Sequence, residues 1–321
     1  MLKLSIVVPA YNVGKKIGKT LDSIFSQDAK YPFEVICVCG PSTDNTKDVI
    51  REYIKKHDNL KIVEYEKANL IGARKVGIQE AQGEYLTFCD GDDAQHKDFI
   101  NFFVSKMDQT GADMVNAGFC YVINKFKWKT IFRKTRKYDR NQFYRALVSD
   151  AVMKGYLWCK TFKTSILKSI DFYVPETNIF REDMYLNLVF GTRIHNVYTY
   201  YRNVYYYDKS GDSLFSSINK KRMYDFFRII GFQRWMIEKT CDKKTLDFYR
   251  SKDHWRKFQV IYDYLYCLKA FSKEERTQLK KEMRRWLKIF RSKDPLPKDE
   301  GPWKEYIEQY ENRIDDLMNN K

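Results

Sequence analysis

An acidic turn at residues 90–93 carries the strongest chemical signal in the sequence. Asp90, Asp92 and Asp93 lie within four positions, directly after the hydrophobic segment 85–89. Like charges this close repel unless a cation or a hydrogen-bond network offsets them. Carboxylate oxygens suit Mg²⁺ or Mn²⁺, which bind through one or two carboxylates and leave other positions to water and phosphates. The turn therefore predicts either a metal-diphosphate site or a solvated turn that caps the next helix.

Two further polar segments could take part in chemistry. Residues 42–46 read Ser-Thr-Asp-Asn-Thr, whose hydroxyl and carboxylate groups could cap a helix or contact a ribose and a base. Glu182 and Asp183 open a helical pattern, where acidic residues are common because they complement the helix dipole. One of these two carboxylates could serve as general base if the helix begins at a cleft. Taken alone, both segments favour the capping interpretation.

Alternating strand and helix patterns predict how these segments are positioned. Short β-branched or aromatic runs occur at residues 4–8, 33–38, 61–65 and 85–89. Apolar residues at helical spacing follow the first two runs. Strands separated by such helices predict an α/β fold with a mostly parallel, Rossmann-like sheet flanked by helices. Ligands bind such sheets beyond the carboxyl ends of the strands, which here are residues 9–12, 39–44 and 90–93.

The rest of the chain divides into a mixed region and a helical region. Strand-like runs at 114–122 and 197–207 alternate with helical segments near 141–170 and 182–190. Beyond residue 216 the pattern changes to long charged helices, predicted at 222–239, 247–271 and 273–291. We therefore predict an α/β domain over residues 1–215 and a helical C-terminal subdomain over residues 216–321.

The composition indicates a folded, basic protein. The 321 residues are 44% hydrophobic and 16% aromatic, with only 14 Gly and 7 Pro, which excludes collagen-like and disordered classes. A formal charge of +16 favours anionic partners such as nucleic acid, anionic lipid or phosphorylated metabolites. No apolar run approaches the roughly 18–20 residues that span a bilayer, and no signal-peptide pattern opens the chain. We expect a cytoplasmic protein with reduced thiols.

Four segments occur in the order and spacing of one family. They are Ser-Ile-Val-Val-Pro-Ala-Tyr-Asn at 5–12, Pro-Ser-Thr-Asp-Asn-Thr at 41–46, Gly-Glu-Tyr-Leu-Thr-Phe-Cys-Asp-Gly-Asp-Asp at 83–93 and Arg-Glu-Asp at 181–183. Together they resemble the family 2 glycosyltransferases of the GT-A fold, over residues 3–210. The resemblance implies non-processive transfer of one sugar from a nucleotide-diphosphate sugar to a glycan or lipid-linked acceptor. It further implies Mn²⁺ or Mg²⁺ as cofactor and a role in bacterial cell-surface polysaccharide biosynthesis.

The resemblance also implies roles for individual residues. Asp90 and Asp92 match the D-x-D carboxylates, so Asp92 is the expected metal ligand, with Asp90 and Asp93 around the same metal. Asp183 matches the catalytic base of inverting members, which need no covalent nucleophile. The implied nucleotide-sugar contacts are Pro9, Ala10, Tyr11, Cys39, Asp44, Arg74, Asp90, Gly91 and Lys209.

Departures from the family pattern keep other functions open. Cys39 and Gly40 stand where the family commonly has two Asp, one of which contacts uracil in relatives, and UDP is the expected nucleotide. A catalytically degenerate nucleotide-binding protein is one alternative. A nucleic-acid-binding protein is another, although the acidic turn would repel phosphate unless it binds metal, so we expect no nucleic acid. A nucleotidyltransferase would release pyrophosphate instead of a nucleoside diphosphate.

Two basic segments could contact an anionic membrane surface or simply be solvated. The first, residues 279–290, places Lys280, Lys281, Arg284, Arg285 and Lys288 among Leu279, Met283, Trp286, Leu287 and Phe290. It predicts a basic amphipathic helix that either lies on the inner face of the cell membrane or packs its apolar side on the catalytic domain. The second, residues 125–137, predicts a basic loop or hairpin that could line an acceptor entry or touch lipid.

Overall fold

The chain forms two compact units, each assembled from separated segments. The computed structural model describes residues 1–123, 126–129, 135–149, 153–209, 220–252, 264–265 and 267–319. The first unit comprises residues 1–139, 156–178 and 194–211, and the second comprises 140–155, 179–193 and 212–321. The predicted boundary between residues 215 and 216 lies outside the described residues.

The first unit contains a mixed sheet. Its strands are β1 (Leu4–Ala10), β2 (Phe33–Cys39), β3 (Leu60–Glu64), β4 (Tyr85–Phe88), β5 (Ala94–Gln95), β6 (Met114–Ile123), β7 (Phe126–Lys129), β8 (Arg136–Tyr138), β9 (Lys160–Lys163) and β10 (Val197–Asp208). Their order is β3-β2-β1-β4-β9-β6-β10-β5, with β7 paired to β6 and β8 paired to β10. Strands β1 to β4, β6 and β10 run in one direction, while β5, β7, β8 and β9 run in the other.

Helices are distributed over both units. In chain order they are α1 (Ile17–Phe25), α2 (Thr46–Ile54), α3 (Leu70–Glu80), α4 (Phe99–Thr110), α5 (Arg140–Ser149), α6 (Thr164–Lys168), α7 (Glu182–Phe190), α8 (Lys220–Thr240), α9 (Lys243–Ser251), α10 (Lys273–Arg291), α11 (Lys304–Tyr310) and α12 (Ile314–Asn319). Helices α1 to α4 and α6 belong to the first unit, and the others belong to the second. A central sheet flanked by helices confirms the predicted α/β class.

Strands β1 and β2 form the interior of the first unit. All seven residues of β1 are buried, as expected for a strand whose sheet is covered on both faces. Helix α3 approaches this strand closely, because a Cβ at Gly77 would lie only 2.2 Å from Cγ1 of Val7. Side chains along β1 therefore serve packing, and chemistry is left to the loops beyond its carboxyl end.

The second unit is helical and packs around α8. Helices α7, α9, α10 and α11 all contact α8. A Cβ at Gly231 of α8 would lie 2.4 Å from the Trp303 ring, so glycine is required for this approach. Helix α10 matches the predicted range 273–291 and begins with a capping box formed by Ser272 and Glu275.

The apolar side of α10 is buried within the second unit. Leu279, Met283, Trp286 and Phe290 are all at most 7% exposed, and Trp286 packs on Phe227 with ring centroids 4.5 Å apart. These buried groups are therefore not available to insert into a membrane, and they pack on α8 of the second unit instead of on the predicted catalytic domain. None of the helices in the described part of the chain is long and apolar enough to cross a bilayer.

The segment expected to be helical near residues 141–170 differs from the prediction. Helix α5 ends at Ser149, and strand β9 with the short helix α6 follows later. Strand β9 is only four residues long, but it pairs antiparallel with both β4 and β6. These two ladders stabilise an extended conformation that its own sequence, Lys-Thr-Phe-Lys, does not specify.

Candidate functional site

The carboxyl ends of the parallel strands meet at one edge of the sheet. The loops after β1, β2 and β4 lie there because these neighbouring strands run in the same direction. The edge brings together Pro9, Ala10, Tyr11, Cys39, Asp44 and the turn Asp90, Gly91, Asp92 and Asp93. Strand β10 is parallel to β6 and runs in the same direction as β1, β2 and β4, so its carboxyl end lies at the same edge. Lys209 directly follows this end of β10. Polar groups predicted from separate segments are thus gathered as the α/β pattern requires.

The loops after β1 and β2 are joined by hydrogen bonds. Asn12 adopts a left-handed conformation with φ of 53°, and its side-chain oxygen accepts the N–H of Thr43 at 2.9 Å. Asp44 Oδ2 accepts the N–H of Gly14 at 2.9 Å, and its Oδ1 accepts the N–H of Thr46 at 3.1 Å. Both oxygens of the Asp44 carboxylate are therefore engaged by the two loops.

The pKa of Asp44 lies below its ordinary value. Partial burial would raise it, but hydrogen bonds from the Thr46 hydroxyl, the Gly14 N–H and the Thr46 N–H stabilise the ionised form and outweigh that effect. Its assignment as a nucleotide contact stays a prediction. What the structure shows is a carboxylate that holds the β1 and β2 loops together.

The turn after β4 packs tightly against the end of β1. A Cβ at Gly91 would lie 3.1 Å from the carbonyl oxygen of Pro9 and 3.1 Å from Cγ2 of Val13. The hydroxyl of Thr20, on α1, lies 3.0 Å from the Gly91 carbonyl oxygen and 2.7 Å from that of Asp93. Glycine and a buried threonine therefore fix the backbone that carries the acidic side chains.

Asp90 and Asp93 are held by different parts of the first unit. The Arg74 guanidinium, which is completely buried on α3, donates from Nη2 to Asp90 Oδ1 at 3.2 Å. Asp93 is 2% exposed, and its Oδ2 accepts the Tyr205 hydroxyl at 2.9 Å, while its Oδ1 accepts the Asp208 N–H at 2.8 Å. Burial, together with the charges of Asp90 and Asp92, raises the pKa of Asp93 well above its usual range.

Asp92 is the most exposed of the three carboxylates of the turn. The ammonium of Lys16 lies 3.7 Å from its Oδ2 and 3.9 Å from Oδ2 of Asp208, so one cation faces two carboxylates. Burial raises the pKa of Asp92, and the charge of Asp208 adds to this, although Lys16 opposes the shift. An accessible carboxylate with a second one close by is a position at which a further cation would be stabilised.

The oxygen atoms of Asp92 are ligands of the kind that a hard divalent cation binds. Among the described residues, no three acidic, histidine or cysteine side chains converge into a metal-binding group. Mg²⁺ or Mn²⁺ does not need such a group, because it binds through one or two carboxylates together with the phosphates of a substrate. Asp92 offers oxygen ligands for this, whereas both oxygens of Asp93 already accept protein hydrogen bonds.

The other predicted contacts differ in accessibility. Cys39 is completely buried, and burial raises the pKa of its thiol to about 11, so the thiol is neutral. Gly40 lies against Tyr11, whose Cδ2 would be 3.2 Å from a Cβ at that position. The ammonium of Lys209 lies 4.5 Å from the centre of the Tyr121 ring, in the range of a cation–π contact. Lys209 is exposed near the sheet edge.

The predicted base lies in the second unit. Asp183 is half-buried in the first turn of α7, and its carbonyl oxygen accepts the Asn187 side-chain N–H at 2.7 Å. Arg181, directly before the helix, adopts a left-handed conformation with φ of 67°. Such a conformation is costly for a non-glycine residue and is found where surrounding structure imposes it. The role of Asp183 stays a prediction.

Sequence reasoning missed three residues at this edge of the sheet. Lys16 precedes α1, while Tyr205 and Asp208 belong to β10, more than 110 positions after the turn that they contact. The only sequence signal for the last two was the tyrosine-rich run at 197–207, which predicted a strand but not its partners.

Comparison with known proteins yields a family match over most of the first unit. The family model described as "Glycosyl transferase family 2" matches residues 5–183. Glycosyltransferase GlyA of Streptococcus pneumoniae is 28% identical over 218 residues, which cover 65% of this chain and 30% of GlyA. The poly(ribitol-phosphate) beta-N-acetylglucosaminyltransferase TarS of Staphylococcus aureus is 27% identical over 240 residues, covering 73% of this chain and 40% of TarS. The chain therefore spans less than half the length of these two relatives.

Solved structures share the fold. The 1–349 fragment of TarS from S. aureus in complex with UDP-GlcNAc superposes with a TM-score of 0.64 at 22% identity, covering 98% of this chain and 84% of that one. The mannosyltransferase PcManGT from Pyrobaculum calidifontis, in complex with GDP-Man and Mn²⁺, gives a TM-score of 0.54 at 18% identity, covering 90% and 84%. At these identities the likeness establishes a common fold.

Proposed function

Because the chain belongs to glycosyl transferase family 2, we propose that it transfers a single sugar from a nucleotide-diphosphate sugar to an acceptor hydroxyl. A UDP-sugar is the proposed donor, and a glycan or lipid-linked hydroxyl is the proposed acceptor. The transfer depends on Mn²⁺ or Mg²⁺ and inverts the anomeric centre. We further propose that the product belongs to a cell-surface polysaccharide.

The observation that carries this proposal is the geometry of the acidic turn at the sheet edge. Asp92 is the most exposed carboxylate of the turn and stands beside Lys16, while Asp90 and Asp93 are held by Arg74 and Tyr205. A rigid turn with one accessible carboxylate suits a donor that brings its own diphosphate to a shared cation. A turn that merely capped the next helix would not require a buried arginine and a buried tyrosine to hold it.

The chain's own residues divide the chemistry as follows. Asp92 would hold the cation, with Asp90 oriented by Arg74 at its side. When bound, the cation supplies neutralisation of the diphosphate and of the charge that develops on the leaving group. The ammoniums of Lys16 and Lys209 add positive charge at the same edge. Asp183 removes the proton of the acceptor hydroxyl as the hydroxyl attacks the anomeric carbon.

The role of Asp183 predicts a separation between binding and transfer. Asp183→Asn should lower kcat by about 100-fold or more, since general bases contribute roughly 10²–10⁴-fold, while binding of the donor with metal stays within about twofold. Steady-state release of nucleoside diphosphate and titration calorimetry measure the two quantities on the same preparation. Glu182→Gln, which changes the neighbouring acidic residue of the same turn, is the matched control. Near-normal turnover by Asp183→Asn would refute the assignment.

The nucleotide and metal are proposed from the site and from relatives. The TarS fragment was solved with UDP-GlcNAc and the mannosyltransferase with GDP-Man and Mn²⁺, so this fold accommodates both nucleotides in relatives. Titration calorimetry with UDP, GDP, CDP and their common sugar conjugates, with and without Mn²⁺, tests the proposal. Micromolar binding of one nucleotide that requires Mn²⁺ would support it. Absence of binding to all of them would favour a degenerate or nucleic-acid-binding protein.

We also propose that the protein works in the cytoplasm, in peripheral contact with an anionic membrane surface where lipid-linked acceptors reside. Because the apolar side of α10 is buried, we place this contact at the β6–β7 hairpin. Trp128 and Ile123 are 66% and 41% exposed there, next to the exposed Lys127. An exposed tryptophan beside cations suits the interface of an anionic bilayer. Co-sedimentation with phosphatidylglycerol vesicles but not with phosphatidylcholine vesicles would support the contact, and equal recovery would contradict it.

A further inference from the structure

We propose that Tyr205 is a positioning residue that sets the place of Asp92 for metal-dependent donor binding. Its phenolic oxygen accepts the N–H of Asp90 at 3.1 Å and donates to Oδ2 of Asp93 at 2.9 Å. One buried hydroxyl thus joins the first residue of the acidic turn to the last, and Asp92 lies between them. That Asp92 binds a metal rests on the proposed function. That Tyr205 holds the turn rests on the hydrogen-bond geometry alone.

The backbone of β10 completes this attachment. The N–H of Asp208 donates to Oδ1 of Asp93 at 2.8 Å, so both oxygens of that carboxylate are bonded to β10. A buried carboxylate with two donors has a fixed orientation, since losing either bond leaves a buried polar atom unsatisfied. Asp93 therefore ties the turn to the strand, and the metal-binding role passes to Asp92.

The ring of Tyr205 is held independently of its hydroxyl. Trp158 stacks on Tyr205 with centroids 4.4 Å apart and planes 11° apart, and Tyr156 stacks on Trp158 at 4.7 Å and 14°. Phe119 packs edge-on against Trp158 at 4.7 Å. Because these contacts involve only the ring, Tyr205→Phe removes the contacts of the hydroxyl with Asp90, Asp93 and, at 3.7 Å, Cys89 Sγ, and keeps the packing.

Asp92 needs this support because its own side chain is weakly held. The Lys16 ammonium lies 3.7 Å from Asp92, which is longer than a hydrogen bond. Ligand side chains must be held within about 0.5 Å of the productive geometry, so the backbone of the turn has to define where the carboxylate stands. Groups that orient metal ligands typically contribute about 10- to 100-fold to metal affinity.

Tyr205→Phe tests the proposal against a matched control, Tyr85→Phe. Tyr85 is a buried tyrosine at the amino end of β4, and its hydroxyl donates to Asp108 at 2.7 Å. Both substitutions therefore remove a tyrosine–aspartate hydrogen bond, but only one lies at the turn. We expect Tyr205→Phe to weaken binding of UDP in the presence of Mn²⁺ by about tenfold, and to leave binding of UDP without metal unchanged. Tyr85→Phe should change neither.

Amide hydrogen exchange of residues 89–94 without any ligand provides a second readout. Exchange there should be faster in Tyr205→Phe than in the wild type or in Tyr85→Phe. Asp93→Asn should reproduce this increase, and the double variant should add little because both changes break one connection. Wild-type exchange in Tyr205→Phe would overturn the proposal, as would equal losses of UDP affinity with and without Mn²⁺. If the wild type binds no nucleotide at all, the proposed function is wrong, and the exchange readout still decides the role of Tyr205.

Discussion

Asp44 and Asp92 are both aspartates in loops that follow parallel strands, and they reach the same edge of the sheet. The Asp44 carboxylate accepts backbone N–H groups on both oxygens, and its pKa falls below the ordinary value. The Asp92 carboxylate stands near Asp208 with Lys16 at 3.7 Å, and its pKa rises. Backbone N–H groups of the protein already stabilise the Asp44 carboxylate. The Asp92 carboxylate would instead be stabilised by an added cation.

This difference teaches how an acidic residue can be sorted into a structural or a binding role. A carboxylate that two loops already hydrogen-bond gains little from a ligand and loses its bonds if the ligand displaces them. A partly buried carboxylate with another one close by is more stable when a cation arrives. The prediction of a metal ligand is therefore placed on Asp92, the most exposed carboxylate of the turn.

The largest expected effect is on catalysis. Asp92→Ala should lower kcat/KM by about 100-fold or more, because the cation that stabilises the leaving diphosphate loses its protein ligand. Asp44→Ala should lower it by less than about tenfold, because Asp44 acts on loop structure. Release of nucleoside diphosphate at saturating Mn²⁺ measures both variants. Equal losses in the two would break the distinction between the two turns.

A second prediction concerns the stability of the metal-free protein, where Asp→Asn should have opposite signs at the two turns. Asp44→Asn should lower Tm at pH 7 by about 2–4 °C, because the amide nitrogen cannot accept a hydrogen bond, so the N–H of Gly14 or Thr46 loses its partner at a cost of roughly 1 kcal/mol. Its folded pKa lies below the unfolded one, so this stabilisation is present above about pH 4 and is lost as pH falls through the folded pKa. The Tm difference from the wild type should therefore shrink in acid.

Asp92→Asn should raise Tm of the metal-free protein at pH 7. Here the folded pKa lies above the unfolded one, so ionisation costs folding energy once pH exceeds about 4, and a neutral amide avoids that cost. The increase should vanish below pH 4, where the carboxyl is protonated in both states. Thermal denaturation of both variants between pH 3 and pH 8, with chelator present, measures the two signs. A destabilised Asp92→Asn protein at pH 7 would contradict the comparison.

The smallest expected effect comes from Lys16. Its ammonium partly neutralises Asp92 and Asp208, so it competes with a divalent cation for the same negative charge. Lys16→Met should strengthen binding of Mn²⁺ to the nucleotide-free protein by about two- to fivefold at pH 8, the range expected of exposed ion pairs. Titration of the protein with Mn²⁺, followed by the electron paramagnetic resonance signal of the free ion, measures this change. Lys19→Met, which changes a lysine in the first turn of α1, serves as the control.

The sequence predicts the parts of the fold whose signal is local. The β-branched run of β1 and the charged helical pattern of α10 give bounds close to those observed, because each element carries its own hydrophobic pattern. Strand β9 escapes prediction because its extended form depends on pairing with β4 and β6, far away in sequence. The apolar side of α10 could be predicted, but not the α8 surface that covers it.

The residues of the candidate site likewise differ in whether their signal in the sequence is local. The acidic turn was found because three carboxylates and a glycine stand together in sequence. Tyr205 was not found, since the register of β10 against β6 shifts between Thr199 and Tyr205. Val204 and Tyr205 are consequently both buried, which breaks the alternation by which inward residues are recognised. The charge balance between Lys16 and Asp208 is equally invisible, because it joins the end of one loop to the end of a distant strand.

The attachment of the acidic turn to β10 has a consequence for the timing of biosynthesis. Residues 90–93 leave the ribosome long before Tyr205 and Asp208 exist, and at roughly 5–20 residues per second the gap lasts several seconds. During that interval a nascent chain carries three clustered carboxylates without the strand that orders them. The proposed metal-dependent donor binding therefore becomes available only when β10 has been synthesised and has paired with β5 and β6. A ribosome-stalled chain that ends before residue 205 would lack the ordered turn that the proposed donor site requires.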